Sequence, residues 1–259
     1  LLDGKIGTPL FTDKKQLHVE FLSPAAGTIK RIELGHRRVI NRIIIEKASS
    51  EETIQLFDSY NKESISGLSS ETVRECLMKG GLWASLKEYP FKNIPKQSTI
   101  PPAIYVSLEY DEPHMPSSKV ILNEYASEFA VGIDVLKQLT TNVYVSHSDK
   151  HPVEQDNIKD LITHEIEGDY PANDPGIFLY YNKTKVSDNN SWGIQALDVI
   201  RIGQLFLSGT YPIERLMVIA GPLAKQPRHI KTREGTALSF IENEATQSEP
   251  TRIICGGVL

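Results

Sequence analysis

The hydrophobic pattern of the chain changes its period twice, and each change limits what that segment can fold into. Residues 8–47 alternate apolar and polar side chains in short runs separated by Pro and Gly, which is typical of β-strands. Between residues 67 and 210, strand-like runs alternate with segments whose apolar residues recur every three or four positions, as in amphipathic helices. A strand-like pattern returns after residue 211. The 259 residues therefore predict an α/β protein of several domains.

The N-terminal segment predicts a small β sandwich of the biotinyl/lipoyl type, because strands there alternate with Pro- and Gly-containing turns. We assign residues 1–48 to this sandwich and the polar residues 49–66 to a linker with little regular structure. The predicted strands are 17–23, 28–34 and 39–47, and the turns between them are "PAAG" at 24–27 and "GHRR" at 35–38.

The middle segment, residues 67–210, predicts a Rossmann-like α/β domain with a mostly parallel sheet. Its first helix, 69–81, begins with Ser69 as N-cap and stops at Gly80. A second clear helix is predicted at 196–209, and helical periodicity also fills "SKVILNEYASEF" and "GIDVLKQLT". The predicted strands are 103–108, 142–147 and 162–167.

The last segment, residues 211–259, predicts a β-grasp-like module of the SLBB type. A strand at 215–221 is followed by a short helix in "GTALSFIEN" and by a strand in "TRIICGG". The chain opens with "LLDGKIGTPLF", which has no initiator Met and is already strand-like. We therefore expect the first and last domains to be incomplete and the chain to be truncated at both ends.

Charge and cysteine content exclude several functional classes. The net charge of −5 gives no basic footprint for nucleic acid. The two cysteines, Cys76 and Cys255, are too few for an iron–sulfur cluster and do not suggest a secreted disulfide scaffold. No apolar run reaches the roughly 18 residues that a membrane-spanning helix needs.

The glycine pair Gly80-Gly81 is the first candidate ligand site, because glycines let a backbone approach a phosphate closely. A phosphate-binding turn, however, normally precedes a helix rather than following one. Leu82 and Trp83 also stand where further small residues would be needed. We therefore expect a helix stop here, with the nearby aromatic residues Trp83, Tyr89 and Phe91 serving as packing residues.

The loop "EYDEPHMP" is the second candidate site, because it follows a predicted parallel strand at the sheet edge where α/β proteins bind ligands. Asp111 and Glu112 are the ligand candidates, and the alternative is a solvated loop. His147 and His151 are four residues apart, but their loop-like surroundings offer no further ligand, and we predict no metal site. No catalytic motif pairs a nucleophile with a base.

Lys14 and Lys15 raise the alternative of a carrier domain, since biotinyl and lipoyl domains present a lysine at a hairpin tip. The Met-Lys-Met pattern of such domains is absent. Attachment of a swinging cofactor is therefore the weaker interpretation.

Motifs spread over nearly the whole chain resemble one family. They include "SPAAGTIKRI", "GGLWASLKEYPFKNIP", "ALDVIRIGQLFLSG" and "PRHIKTREGTALSFI", and the "GLW-x-x-L-x-x-x-PF" element is specific. The chain resembles the alpha subunit of the bacterial Na+-translocating NADH:quinone reductase, a family similar to the flavin-carrying subunit of respiratory complex I. In the flavin-carrying relatives the equivalent turn is rich in glycine. Here Leu82, Trp83 and Leu86 would fill the former flavin space.

The resemblance implies a subunit that binds no cofactor, lies at the cytoplasmic face of the bacterial inner membrane and is peripheral to it. Its implied partners are the other subunits of the reductase, and ubiquinone is the implied substrate of the complex. "YDEP" stands here where many relatives carry an Asp-Thr-Asn-Pro-like turn, which puts a binding role for Asp111 or Glu112 in doubt. The alternative is an FMN- or NADH-binding oxidoreductase domain related to the flavin subunit of complex I.

Overall fold

The computed structural model describes residues 3–109, 112–151, 153–237, 239 and 252–256. Its N-terminal part contains two small antiparallel sheets. One sheet joins β1 (Asp3–Gly4), β4 (Gly27–Leu34) and β5 (Ile40–Lys47), and the other joins β2 (Pro9–Thr12) and β3 (Glu20–Leu22).

The predicted strand 17–23 is wrong for its first three residues, which belong to the loop between β2 and β3. The Asp13 side chain shapes this loop by accepting hydrogen bonds from the backbone N–H groups of Lys15 and Gln16, at 2.7 and 2.8 Å. Such local bonds favour a turn over a strand. Lys14 and Lys15 therefore lie, exposed, in a hairpin loop.

The segment 49–66 has little regular structure but is bonded to the rest of the molecule. The backbone N–H of Leu56 donates to the carbonyl oxygen of Gly209, and that of Tyr60 to the carbonyl oxygen of Phe206, both at 2.9 Å. The short helix α1 (Lys62–Ile65) buries Ile65 completely. The segment is thus fixed along the helix that ends at residue 208.

The middle of the chain forms a five-stranded sheet in the order β6-β10-β7-β8-β9. Four of these strands are parallel, and only the edge strand β6 is antiparallel, so the expected mostly parallel sheet is confirmed. The strands are β6 (Lys87–Glu88), β7 (Ile104–Ser107), β8 (Val143–Ser148), β9 (His164–Ile166) and β10 (Trp192–Gln195).

Helices cover both faces of this sheet. Ile104 and Val106 of β7 face the main core, whereas Tyr105 between them packs with Phe178 on the opposite face. This alternation follows from the two-residue period of a strand. The helices are α2 (Ser70–Lys79), α3 (Ser118–Leu136), α4 (Asp156–Lys159), α5 (Pro175–Asn182) and α6 (Ala196–Ser208).

The helices α3 and α6 pack against each other through two glycines. A Cβ on Gly132 would come within 2.1 Å of the Val199 carbonyl oxygen, and one on Gly203 within 1.9 Å of the Glu128 carbonyl oxygen. Each glycine therefore allows the backbone of the other helix to approach more closely than any side chain would permit. This contact fixes the helical layer on one face of the sheet.

The C-terminal part contains one antiparallel hairpin, formed by β11 (Glu214–Ile219) and β12 (Arg228–Arg233). The predicted helix "GTALSFIEN" lies mostly outside the described residues. The predicted strand "TRIICGG" is wrong for residues 252–256, which carry no strand, because no described strand pairs with them. Among the described helices, none combines the length and the apolar character needed to cross a bilayer.

Candidate functional site

The glycine pair ends helix α2. Gly81 has φ = +66°, and its N–H donates to the carbonyl oxygen of Met78. The N–H of Leu82 donates to the carbonyl oxygen of Leu77 at 3.0 Å. These two bonds form a Schellman motif, which satisfies the last carbonyl groups of a helix and requires a left-handed residue. The predicted stop at Gly80 is confirmed, since Gly80 is the C-cap of α2, and the residue that follows it, Gly81, takes the left-handed conformation.

The side chains after the turn are part of the core. Trp83 is 1% exposed, and its indole N–H donates to the carbonyl oxygen of Pro95 at 2.8 Å. Its ring meets that of Trp192 edge to face, with centroids 5.5 Å apart. The guanidinium carbon of the buried Arg74 lies 5.8 Å from the centroids of both indoles. Two indoles and a cation therefore occupy the space beside the turn.

The expected packing role holds for Trp83 and Tyr89 but is wrong for Phe91. The Tyr89 ring is buried against Gly176 and Gly193, where an added Cβ would approach ring atoms to 2.7 and 2.6 Å. Phe91, two residues further on, is 82% exposed. Its loop turns outward, and Lys92 forms an ion pair with Asp174 at 3.1 Å on the surface. The aromatic motif thus contributes both to the core and to the surface.

The carboxyl edge of the parallel sheet carries a buried polar cluster that the sequence patterns do not predict. Glu109 follows β7, is 4% exposed and accepts hydrogen bonds at 3.0 Å from the Ser148 N–H and the Asn173 side-chain amide. The Asn173 side-chain oxygen in turn accepts a bond from the Ser146 hydroxyl at 2.7 Å. One available signal is the set of serine residues that interrupt the otherwise apolar strands β7 and β8.

The predicted ligand loop begins at Glu109, which belongs to this cluster. Asp111 is outside the described residues, and Glu112 is half-buried, with its carbonyl oxygen accepting a bond from the Met115 N–H at 3.3 Å. Of the two candidates, the structure therefore describes Glu112 alone. His147 lies on β8, while His151 is exposed in the following loop. Over the described ranges, no group of three His, Cys, Asp or Glu side chains is arranged to hold a metal ion.

A small cleft opens between α3, α6 and β11. Its volume is about 120 Å³, and Tyr125, Ile200 and Leu216 are among its lining residues. An engineered apolar cavity of about 150 Å³ holds one benzene ring. The cleft is therefore closer in size to a single ring than to the three fused rings and phosphate of FMN.

Arg201, which is 5% exposed, is another lining residue of the cleft. Its guanidinium donates to Glu234 at 2.7 Å and to the Tyr211 hydroxyl at 3.2 Å. Tyr211 also donates to Glu234 at 2.9 Å. Burial, followed by the nearby Glu234 carboxylate, raises the pKa of Tyr211 to about 12. This cluster ties α6 to the C-terminal hairpin.

The helix α5 is apolar on both faces. Phe178 and Leu179 are buried against the sheet, whereas Tyr180 and Tyr181 are 61% and 81% exposed. Ile177, also exposed, lies three and four residues before the two tyrosines and therefore on the same side. Helices with apolar residues all round are usually covered on all sides.

Family models match two stretches of the chain. The model described as the NqrA second alpha/beta domain matches residues 68–211. The NqrA N-terminal barrel-sandwich hybrid domain matches residues 3–48. The second of these stretches contains the two small N-terminal sheets, and the first contains the five-stranded sheet.

The NqrA subunits of several Na(+)-translocating NADH-quinone reductases match almost the whole chain. That of Saccharophagus degradans is 31% identical over 255 residues, that of Histophilus somni strain 2336 is 32% identical over 257, and that of Vibrio atlanticus is 33% identical over 258. Each alignment covers 98% of this chain but 57% of the relative, so the chain spans little more than half their length.

Among solved structures, that of an air-oxidized NAD+-reducing NiFe hydrogenase aligns with a TM-score of 0.43 and 11% identity, over 76% of this chain and 44% of that one. This likeness is too low to support an argument. The family matches and the relatives' identity are sufficient by themselves: the chain belongs to the NqrA family of Na(+)-translocating NADH-quinone reductase subunits.

Proposed function

We propose that this chain is the cofactor-free part of a peripheral subunit of the sodium-pumping NADH:ubiquinone oxidoreductase. It contributes to quinone binding and to assembly of the complex at the cytoplasmic face of the bacterial inner membrane. The complex transfers electrons from NADH to quinone and couples the transfer to Na+ export. The chain itself carries out no covalent or redox chemistry.

The packing beside the glycine turn is the observation that carries this proposal. Trp83, Trp192 and Arg74 pack against one another in the interior, and interiors are too densely packed for an indole and a flavin to share one pocket. The turn itself serves as a helix stop. A former flavin turn at Gly80, Gly81, Leu82 and Trp83 would thus have lost its ligand to a hydrophobic core.

The buried polar cluster at the sheet edge supports the same conclusion. A nucleotide phosphate bound there would meet the Glu109 carboxylate in a medium of low dielectric constant, where repulsion between like charges is strong. Hydrogen bonds from Ser148 and Asn173 already hold that carboxylate. We therefore propose that Asp111 and Glu112 bind no cofactor.

The exposed face of α5 fits the assembly role. Tyrosines are enriched at the energetically important centres of protein interfaces. Tyr180 and Tyr181 pack edge to face with ring centroids 5.2 Å apart, which presents a rigid aromatic pair to a partner. We assign this face to contact with one of the other reductase subunits.

We also propose a division of the chain into four segments. It divides the chain into a sandwich at 1–48, a linker at 49–66, a Rossmann-like domain at 67–210 and a β-grasp-like SLBB module at 211–259. The parallel order of β10, β7, β8 and β9 with helices on both faces supports the Rossmann-like class. For the β-grasp class, the described part of the chain offers only the hairpin β11–β12.

Ligand titration of the purified chain tests the proposal. Both tryptophans are buried in the core beside the turn, so their fluorescence reports changes there, and calorimetry provides a second readout. We expect no saturable binding of FMN or NADH, and saturable binding of a short-chain ubiquinone analogue. Micromolar binding of FMN with a flavin spectrum on the protein would instead establish the alternative, an FMN- or NADH-binding oxidoreductase domain.

A further inference from the structure

The outer half of the hairpin β4–β5 stands apart from the rest of the described chain. β1 pairs with β4 only at Gly27 and Thr28, so from residue 30 onward β4 pairs with β5 alone. The side chains at the tip, residues 36–40, are all exposed. The tip is therefore a free two-stranded ribbon.

The hairpin has a positive net charge, whereas the net charge of the whole chain is negative. Residues 27–47 contain six Lys or Arg and two Asp or Glu, whereas the whole chain has a net charge of −5. Both acidic residues are neutralised locally, since Glu33 pairs with Arg31 and Arg42, and Glu46 pairs with Lys30. Arg37 and Arg38 at the tip have no ion-pair partner among the described residues.

Exposed aliphatic side chains flank these two arginines in the sequence. Ile32, Leu34, Val39 and Ile40 are between 43% and 62% exposed, and Leu34 lies opposite Ile40 across the ladder. Between residues 34 and 42 the sequence contains no Asp or Glu and no Tyr, Trp or Phe. The tip thus combines positive charge with exposed branched hydrocarbon.

The backbone conformation at the tip is one that arginine does not favour. Arg37 and Arg38 have φ values of 55° and 60°, and the Val39 N–H donates to the His36 carbonyl oxygen. Turns with two left-handed central residues favour Asn-Gly, because other residues meet steric strain there. Strained residues that persist in a fold are often functional.

We propose that this tip binds the surface of a membrane containing anionic phospholipids. Arg37 and Arg38 contact the headgroup phosphates, and the aliphatic side chains enter the interface between headgroups and acyl chains. Juxtamembrane basic residues and buried hydrocarbon each strengthen such binding.

The size of the tip favours lipid over a protein partner. A specific protein interface takes about 20–30 residues from each side, whereas the exposed end of the hairpin comprises residues 32–40. The absence of Tyr, Trp and Phe also differs from the usual composition of interface centres. The inference goes beyond the proposed function, since it concerns neither quinone nor the other reductase subunits.

Vesicle flotation with the full 259-residue chain tests the inference. Vesicles of phosphatidylcholine alone are compared with vesicles that also contain phosphatidylglycerol. The key variant is Arg37→Asn/Arg38→Gly, which removes both charges while supplying residues that the turn prefers. Its folded state should therefore be at least as stable as the parent's, so loss of binding cannot be attributed to misfolding. Lys14→Gln/Lys15→Gln is the matched control, since it removes two exposed charges from another loop.

We expect the parent chain to float with the phosphatidylglycerol vesicles only, and binding to weaken as salt is added. At low salt, loss of the two arginines should weaken binding by roughly thirtyfold, at about fivefold for each. Val39→Ser/Ile40→Ser should also weaken it, and the Lys14/Lys15 control should bind like the parent.

Three results would overturn the inference: no flotation of the parent, equal flotation with both vesicle types, or an equal loss in the lysine control. Unchanged lipid binding by the arginine variant, together with loss of a partner protein during purification, would assign the tip to a protein partner instead.

Discussion

At the scale of single residues, the cluster around Arg201 shows how a buried charge is accommodated. Its guanidinium is surrounded by Glu234, the Tyr211 hydroxyl and the Pro212 carbonyl oxygen, with distances of 2.7 to 3.2 Å. A buried charge is costly unless it is paired and hydrogen-bonded. Burial keeps the neighbouring Tyr211 neutral, and the Glu234 carboxylate adds to this effect, because ionising the tyrosine would place a second negative charge next to Glu234.

This environment makes folding stability depend on pH in the alkaline range. Tyr211 has a folded-state pKa raised to about 12, above its ordinary value of 10.0, chiefly through burial. Its contribution is fully present below the unfolded pKa and is lost as the pH rises from about 10 to about 12. In that window the free energy of unfolding should fall by about 1.4 kcal/mol per pH unit for this group. Urea unfolding across the alkaline range measures the slope.

The variant Tyr211→Phe should remove the contribution of one titrating group, about 1.4 kcal/mol per pH unit, from this slope. At neutral pH it should lower the free energy of unfolding by about 1 kcal/mol, because a hydrogen bond is lost. Tyr125 titrates in the same window, since burial raises its pKa to about 12, so some slope should remain. Tyr181→Phe is the control, because that hydroxyl is in water in both states. An unchanged slope in Tyr211→Phe would contradict the assignment.

The aromatic residues of "GGLWASLKEYPF" show that residue type alone does not determine whether a side chain is buried. The sequence predicts packing for Trp83, Tyr89 and Phe91 alike, and burial confirms this for the first two. Hydrophobic side chains favour burial, but the direction of a loop decides whether burial is possible. Phe91 is exposed because its loop runs along the surface, where Lys92 reaches Asp174.

At the scale of elements, α5 is a helix that the sequence pattern does not predict. "PGIFLYYN" is apolar at almost every position and therefore lacks the three-to-four-residue period that identifies a helix. Its start is nonetheless well specified: Asp174 caps it by accepting a bond from the Gly176 N–H at 2.7 Å, and Pro175 follows at the first position.

The outer face of α5 gives a prediction about assembly. Tyr180→Ala/Tyr181→Ala removes the exposed aromatic pair and should leave the fold intact, with stability changed by no more than about 0.5 kcal/mol. Co-purification with the other reductase subunits should fall at least roughly tenfold if these tyrosines are interface hot spots. Quantitative pull-down from membranes of a host expressing the complex provides the measurement.

The control for this experiment is Leu17→Ala/Ile100→Ala, which removes two exposed aliphatic side chains located elsewhere on the surface. It should co-purify like the parent. Normal recovery of the complex with the tyrosine variant would show that α5 faces no essential partner.

At the scale of the whole molecule, the N-terminal sheets and the α/β domain share one core. Val19 and Leu22 belong to the same buried cluster as Trp83 and Leu205. The Leu22 side chain lies over Gly81, where an added Cβ would come within 2.9 Å of its Cγ. The helix stop of one domain is thus also the surface on which the other domain packs.

This shared core predicts cooperative unfolding. Leu22→Ala should lower the free energy of unfolding by about 2–4 kcal/mol, because it leaves a cavity in a fully packed region. Both tryptophans lie in the α/β domain, so their fluorescence should report the effect of a substitution made in the N-terminal part.

Leu17→Ala, in the same N-terminal part but 69% exposed, should leave the fluorescence midpoint unchanged. If Leu22→Ala shifts the far-UV circular dichroism but not the tryptophan signal, the two parts unfold independently and the prediction fails.

The sequence by itself determined the order and type of most elements, because hydrophobic period, caps and turn residues act within a few positions. It also predicted that Trp83 is a packing residue, since a large aromatic side chain favours burial. Only the tertiary structure decided which distant groups meet. Glu109 and Asn173 are 64 residues apart, and Arg201 and Glu234 are 33 apart. Such pairs depend on strand order and helix packing, which no local pattern specifies.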